Sequence, residues 1–185
     1  TYALLLAQEL AADSPYAAQL DSALVEEIAK TSVLHDVGKV GIPEGILFKP
    51  ARLSPEEFQV MQLHTRIGGQ ILGTADRRLR QALEVSSTFL TVATQIALYH
   101  HERWDGQGYP ERLRGEQIPL PARIVAVADV YDALTTRRVY KPAWSHAQAR
   151  DLITASAGTH FDPVVIEAFQ RCEQKFDEIR RTWAE

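Results

Sequence analysis

Apolar residues recur at three- and four-residue intervals along most of this chain, and no stretch alternates apolar with polar positions persuasively enough for a strand. The pattern predicts an all-α fold, a bundle of helices. Residues 1–12 (TYALLLAQELAA) read as a first helix that Asp13-Ser14-Pro15 ends. The apolar pattern is already running at Thr1, which puts the start of that helix upstream. A second helix is expected over about residues 21–36, with Leu24 and Ile28 on its inner side. Residues 38–53 carry Pro43, Gly45 and Pro50 and read as a loop with short turns. Ser54-Pro55-Glu56-Glu57 joins a serine cap, a proline at the first helical position and the glutamate of a capping box. The helix it opens carries Phe58, Met61 and His64 before reaching Gly68-Gly69. Residues 77–100 are helical again, as one or two helices, and a second Gly/Pro-rich loop covers 102–121. ARIVAVADVYDALTT then forms a helix that is apolar nearly all round. Ser145 with Gln148 marks another capping box, and Asp162-Pro163 opens the last helix.

Composition narrows the function more than the fold. At 185 residues the chain is long enough for one domain with a substantial core, taken here as residues 1–185. A formal net charge of -4 argues against a duplex nucleic-acid binder that works by broad charge neutralisation. A small anionic substrate stays open, because bound metals reverse the local charge. The single cysteine, Cys172, cannot form an internal disulfide, which fits a reducing, cytoplasmic setting. It reads as a helix packing residue. No segment reaches the roughly 18 apolar residues of a membrane helix; the least charged stretch, residues 85–99, is broken by Ser, Thr and Gln.

The chemistry concentrates in residues 33–41, Val-Leu-His-Asp-Val-Gly-Lys-Val-Gly. Placed on one helix turn, His35 and Asp36 offer a metal one nitrogen and one or two oxygens, and the carboxylate can bridge two ions. Lys39 supplies a compact positive charge suited to a phosphate. A hydrogen-bonded helix cap is the competing use of such a pair. Asp129 sits mid-helix among Val125, Ala126, Val127, Ala128 and Val130, where an ionised carboxylate costs several kcal/mol unless it is paired or bound to a cation. Its candidates are a metal or a core arginine such as Arg123. Asp132, three residues on, falls on nearly the same face, and Arg138 and Lys141 arrive just past the helix end. His100 and His101 close an apolar helix and project about 100° apart, so they can serve two ions or grip one cluster; His64 is the weaker fourth histidine. His146 and His160 read as surface and loop residues. A P-loop, a dinucleotide fingerprint, a nucleophile elbow and a cysteine zinc site are all missing.

Together these residues have a family likeness. His35-Asp36-Val37-Gly38-Lys39 resembles the signature of the HD metal-dependent phosphohydrolases. The run from His100 through His101, Glu102, Arg103, Trp104, Asp105, Gly106 and Gln107 to Gly108-Tyr109-Pro110 resembles the second signature of the HD-GYP subgroup. Ile118-Pro119-Leu120, the helix around Asp129, Asp132-Ala133-Leu134-Thr135 and Phe161-Asp162-Pro163 continue the likeness over about residues 25–169. The resemblance implies an HD-domain helical bundle around two or three divalent metal ions, iron or manganese. It also implies hydrolysis of the bacterial second messenger cyclic di-GMP to pGpG, and in some members onward to GMP, by a hydroxide generated on the ions.

Carried over by position, the resemblance makes His35, Asp36, His64, His100, His101 and Asp129 the metal ligands, with Asp36 as the bridge. It assigns Asp36 and Lys39 to catalysis, and Lys39, Asp132, Arg138 and Lys141 to the substrate. The Gly108-Tyr109-Pro110 loop is tied to shaping the site and to partners such as GGDEF-domain or other signalling proteins. Members often follow a sensor or receiver domain, as in two-component signalling. One departure stands out: the family has a further ligand in the helix ahead of the His-Asp pair, and no histidine precedes His35 here. Glu9 is the nearest acidic candidate and fits the pattern poorly, so that ligand is expected upstream of Thr1. The spacing from His64 to His100 is long, which suggests an extended helix or insertion around residues 76–87. Rival readings are a weak or inactive module that binds cyclic di-GMP or a partner, and a phosphodiesterase for another cyclic dinucleotide.

Overall fold

The structure, a computed structural model, describes residues 1–136 and 142–182. Among the described residues there are helices and no strand; one isolated bridge joins Ala157 to Phe161. The all-α expectation holds. The helices are α1 (Tyr2–Ala12), α2 (Ser22–Thr31), the single turn α3 (Glu44–Leu47), α4 (Pro55–Leu83), α5 (Phe89–Tyr99), α6 (Leu120–Thr135), α7 (His146–Ala155) and α8 (Pro163–Thr182).

The chain's start and stop signals act as local physics requires. Ser54 Oγ accepts from the Glu57 N–H while the Glu57 carboxylate accepts from the Ser54 N–H, and Ser145 with Gln148 repeats the arrangement on α7. Two boundaries differ from expectation. The second helix stops at Thr31, because Thr31 Oγ1 and Ser32 Oγ donate to the Glu27 and Ala29 carbonyls and draw the backbone into a tighter turn. His35 and Asp36 therefore sit in an irregular link between two 3₁₀ turns, residues 32–34 and 37–41, and not on a helix. Conversely, α4 does not stop at Gly68-Gly69 but runs 29 residues to Leu83, and Glu84 in the left-handed region (φ 55°) ends it. The long His64–His100 spacing is this helical extension. The glycines persist mid-helix, at about 1 kcal/mol each, because their bare faces lie against Leu98, Ala97 and the Gly38 backbone.

The core centres on α1 and α6. Leu6 and Leu10 of α1 pack with Ile28 of α2, Ile96 of α5, Ile124 and Val127 of α6, and Phe169 and Phe176 of α8, all fully buried. Every residue from 120 to 128 is buried, as the all-round apolar pattern of that helix demands. Cys172 packs here too, 1% exposed. No helix among the described residues is long and apolar enough to cross a membrane.

One close approach positions the site. A Cβ on Gly38 would lie 1.9 Å from the His64 carbonyl oxygen and 2.4 Å from the Gly68 nitrogen, both backbone atoms that cannot swing aside. The His-Asp link is thereby pressed onto α4 beside His64. Gly38→Ala should destabilise the protein by at least about 1–3 kcal/mol, read as a lowered urea midpoint; an unchanged midpoint would contradict this packing.

Candidate metal centre

Four segments converge on one cluster of side chains. The 32–41 link brings His35, Asp36 and Lys39; α4 brings His64; the end of α5 brings His100 and His101; α6 brings Asp129. His35 Nε2 lies 3.4 Å from Asp36 Oδ2 and 3.6 Å from Asp129 Oδ1, and His64 Nε2 lies 3.5 Å from Asp36 Oδ1. Lys39 Nζ donates to Asp36 Oδ2 at 2.5 Å. The ring centroids of His100 stand 5.1 Å from His35, 5.5 Å from His64 and 4.1 Å from His101. Donor atoms of His64, His100 and His101 all lie within 4.8 Å of one another, and so do those of His35, Asp36 and His100. The two triads share His100.

The backbone aims these imidazoles. Nδ1 of His35 faces the Ser32 carbonyl at 2.7 Å, Nδ1 of His64 faces the Met61 carbonyl at 2.7 Å, and Nδ1 of His100 faces the Ile96 and Ala97 carbonyls at 3.0 and 3.2 Å. An Nδ1–H donated to a carbonyl leaves Nε2 as the free lone pair, turned inward. Nε2 of His64 and of His100 is buried with no hydrogen-bond partner among the described residues. Such orphaned acceptors are costly, and a cation between them would remove the cost. Imidazole with carboxylate is a donor set that suits divalent transition metals. The residues present therefore fit a divalent metal centre.

In the metal-free protein the electrostatics keep both carboxylates ionised and pair them with His35 and Lys39. Burial disfavours charge on His35, but its hydrogen bonds to Asp129 and Asp36 outweigh that and raise its pKa to about 10. Burial likewise works against ionised Asp36 and Asp129, yet His35, joined by Lys39 at Asp36, holds both below the usual carboxylate range. Burial and neighbouring histidines push His100 and His101 down to about 3, and burial lowers His64.

These shifts set opposite pH limits for the metal-depleted protein. Between about 6.5 and 3 the unfolded chain takes up protons that His100 and His101 refuse, so native stability falls as the pH drops through that window. His35 acts the other way: its contribution is complete below about 6.5 and is lost as the pH rises through 10. Thermal melts of EDTA-treated protein should peak near neutral pH and lose on the order of a few kcal/mol by about pH 4. A melting temperature flat from pH 4 to pH 7 would contradict the burial of these two rings.

The remaining candidates fall elsewhere. Asp132 is exposed, one turn beyond Asp129 toward the end of α6. Arg138 and Lys141 lie outside the described residues. Glu9 is committed to Arg171, at 2.7 Å between α1 and α8, and takes no part in the cluster. Arg123, the rival partner for Asp129, instead gives its guanidinium to Asp162 at 2.6 Å. His146 is not the surface residue expected: its Nδ1 meets the buried Tyr131 hydroxyl at 2.9 Å and its Nε2 pairs with the Glu173 carboxylate. His160 is half-buried and stacks on Phe161, with ring centroids 4.2 Å apart.

Two side chains about the cluster were read from sequence only as part of the second signature, with no role of their own. The Tyr109 ring lies over His101, 4.9 Å between centroids and 29° from parallel, and Glu102 is buried beneath the same loop. The signal for Glu102 was available: an acid directly after two site histidines, followed by a Gly/Pro-rich loop whose backbone N–H groups need acceptors.

Residues 5–165 match the HD domain family. A cyclic di-GMP phosphodiesterase of Vibrio cholerae serotype O1 is 53% identical over 175 residues, covering 95% of this chain and 35% of that protein. A cyclic di-GMP phosphodiesterase of Thermotoga maritima is 41% identical over 162 residues, covering 88% of this chain and 41% of its own length. A 3'3'-cGAMP-specific phosphodiesterase 2 of Vibrio cholerae is 45% identical over 153 residues, covering 83% and 27%. This chain thus spans well under half the length of these curated relatives. Among solved structures, a crystal structure of cyclic GMP-AMP specific phosphodiesterases in V. cholerae shares the fold, with a TM-score of 0.52 at 20% identity over 94% of this chain and 43% of that one.

Proposed function

Because the chain belongs to the HD domain family, in its HD-GYP branch, we propose that it is a metal-dependent phosphodiesterase that opens cyclic di-GMP to linear pGpG, and with a second cut to GMP. The observation that carries this reading is the pair of overlapping donor triads sharing His100, with two buried Nε2 atoms that lack a hydrogen-bond partner among the described residues. Two ions, iron or manganese, are the proposed complement, held by His35, Asp36, His64, His100, His101 and Asp129. When bound, such ions supply an acidified water and neutralise charge on the phosphate.

The protein's own groups do the positioning. Asp36 turns Oδ1 toward His64 and Oδ2 toward His35 and Lys39, so its two oxygens face the two halves of the cluster. A carboxylate so placed would be able to help hold a metal on either side. Lys39 sets a positive charge beside it for a non-bridging phosphate oxygen. Asp132, and by sequence Arg138 and Lys141, are assigned to the substrate beyond the ions; a guanidinium can take a phosphate through two parallel hydrogen bonds. A cytoplasmic setting fits the lone, buried Cys172 thiol.

A second reading has a specific support: one relative at 45% identity is named for 3'3'-cGAMP. The substrate is then a mixed cyclic dinucleotide at the same site. A module that binds without cutting is the third, favoured by the engagement of Glu9 elsewhere. Manganese- or iron-loaded protein incubated with equal cyclic di-GMP and 3'3'-cGAMP should yield pGpG faster than the mixed linear product, followed by chromatography and mass spectrometry. Preferential loss of 3'3'-cGAMP would transfer the assignment, and nucleotide bound but intact would end the hydrolase reading.

A further inference from the structure

His101 differs from the other three histidines of the cluster. His35, His64 and His100 are each fixed through Nδ1 by a backbone carbonyl. No hydrogen bond of that kind holds the His101 ring among the described residues. What lies flat on it is Tyr109, and the position of Tyr109 is set by the fold of the loop between residues 102 and 113.

That loop closes on Glu102. The side chain is only 2% exposed. One carboxylate oxygen accepts the Glu111 N–H at 2.7 Å and the other accepts the Leu113 N–H at 3.0 Å, which pulls the far arm of the loop back onto its origin. The near arm is pinned as tightly. The Tyr109 N–H donates to the His101 carbonyl at 3.2 Å. A Cβ on Gly108 would stand 2.4 Å from the Arg103 nitrogen and 2.6 Å from the Glu102 Cα, so this approach admits no side chain. From outside, Arg66 donates to the Pro110 carbonyl at 3.1 Å and pairs with Glu111 at 3.0 Å.

We propose that Glu102 is a positioning residue: by fastening the Glu111 and Leu113 backbone it holds the Tyr109 ring flat on His101, and so orients the one imidazole of the cluster that no carbonyl orients. The proposal rests on His101 serving as a metal donor. It assigns Glu102 no contact with substrate or metal. A buried acid that receives main-chain N–H groups stiffens a loop, and a stiff loop keeps the imidazole aimed with little entropy lost on binding.

The test uses the full chain loaded with Mn(II) and follows the rate at which the metal passes to excess EDTA, with no nucleotide present. Partners that orient a ligand are worth about 10–100-fold in metal affinity. Glu102→Gln keeps the size of the side chain but sets an amide against one backbone N–H; it should speed metal loss about tenfold, and Tyr109→Ala should do the same. Tyr109→Phe keeps the ring and should retain metal as the wild type does. The double variant Glu102→Gln/Tyr109→Ala should be no faster than the faster single, because both act through one contact. Multiplying effects in the double variant would overturn the proposal, as would wild-type retention in Glu102→Gln. If Glu102→Gln fails to fold, Tyr109→Ala decides alone, and unchanged retention there rejects the scheme. The readout contains no substrate, so it stands or falls apart from the identity of the phosphodiester.

Discussion

Replacing Asp36 with alanine is expected to lower turnover of the proposed substrate, cyclic di-GMP, by at least about 10³-fold, or roughly 4 kcal/mol of transition-state stabilisation, while the helices stay intact. The size follows from where the carboxylate stands. Its oxygens lie 3.5 Å from His64 Nε2, 3.4 Å from His35 Nε2 and 2.5 Å from Lys39 Nζ, so one side chain joins both halves of the cluster. Its removal takes a donor from the triad of His35, Asp36 and His100 and the carboxylate that faces His64. It also leaves the Lys39 charge without its carboxylate partner, and uncompensated positive charge repels a divalent cation. The fold has less at stake. Asp36 is half-exposed, and the turn that follows is closed by its backbone carbonyl, which accepts from the Lys39 N–H at 3.0 Å. Metal content and pGpG formation, measured beside circular dichroism, decide the matter. An Asp36→Ala protein working within about tenfold of the wild type would remove Asp36 from the centre of the mechanism.

Legibility followed the physics of each residue. Asp129 was conspicuous because a carboxylate among valines and alanines must have a partner; its partner on this side is His35. The alternative partner could have been discarded earlier: Arg123 and Asp129 are six residues apart, about 240° around a helix, and so face different ways. The histidine pair at the end of α5 was equally readable, since apolar residues lead directly into it. What the periodicity hid was the backbone around His35 and Asp36. Helical spacing continues through residues 32–36, but two hydroxyls competing for carbonyls end the helix at Thr31, a contest that propensity alone does not settle. Gly68-Gly69 misled in the opposite sense: a pair that breaks an isolated helix is kept helical by the elements packed on it.

Tertiary pairing was the least legible layer. Neither the Tyr131–His146–Glu173 chain nor the anchoring of the loop by Glu102 has a local pattern, since each joins residues far apart or bonds side chain to distant main chain. Sequence spacing predicts which side chains share a face; it does not say which distant face will meet them.

The buried ion pair behind the site carries the largest expected stability effect. Asp162 Oδ2 accepts from Arg123 at 2.6 Å and from the Tyr16 hydroxyl at 2.9 Å, while Oδ1 accepts the Val164 N–H at the start of α8. The Asp162 side chain has no exposed surface and that of Arg123 is 6% exposed. The guanidinium also lies 4.8 Å from the Tyr16 ring centroid and 5.8 Å from that of Trp104. Asp162→Ala therefore strands a buried cation, leaves the Tyr16 hydroxyl unpaired and uncaps α8. Breaking a buried pair by removing one partner costs about 3–5 kcal/mol, and a lost cap about 1 kcal/mol more. For a protein of this length that is a fall in melting temperature of roughly 10 °C or more. Because the desolvation of the charges, and not the loss of attraction as such, drives this cost, Arg123→Met/Asp162→Leu should recover much of it. Thermal and urea unfolding of the two variants separate the contributions. A single variant melting within about 1 °C of the wild type would mean that water reaches Arg123, and the pair would then count as a surface contact of small worth.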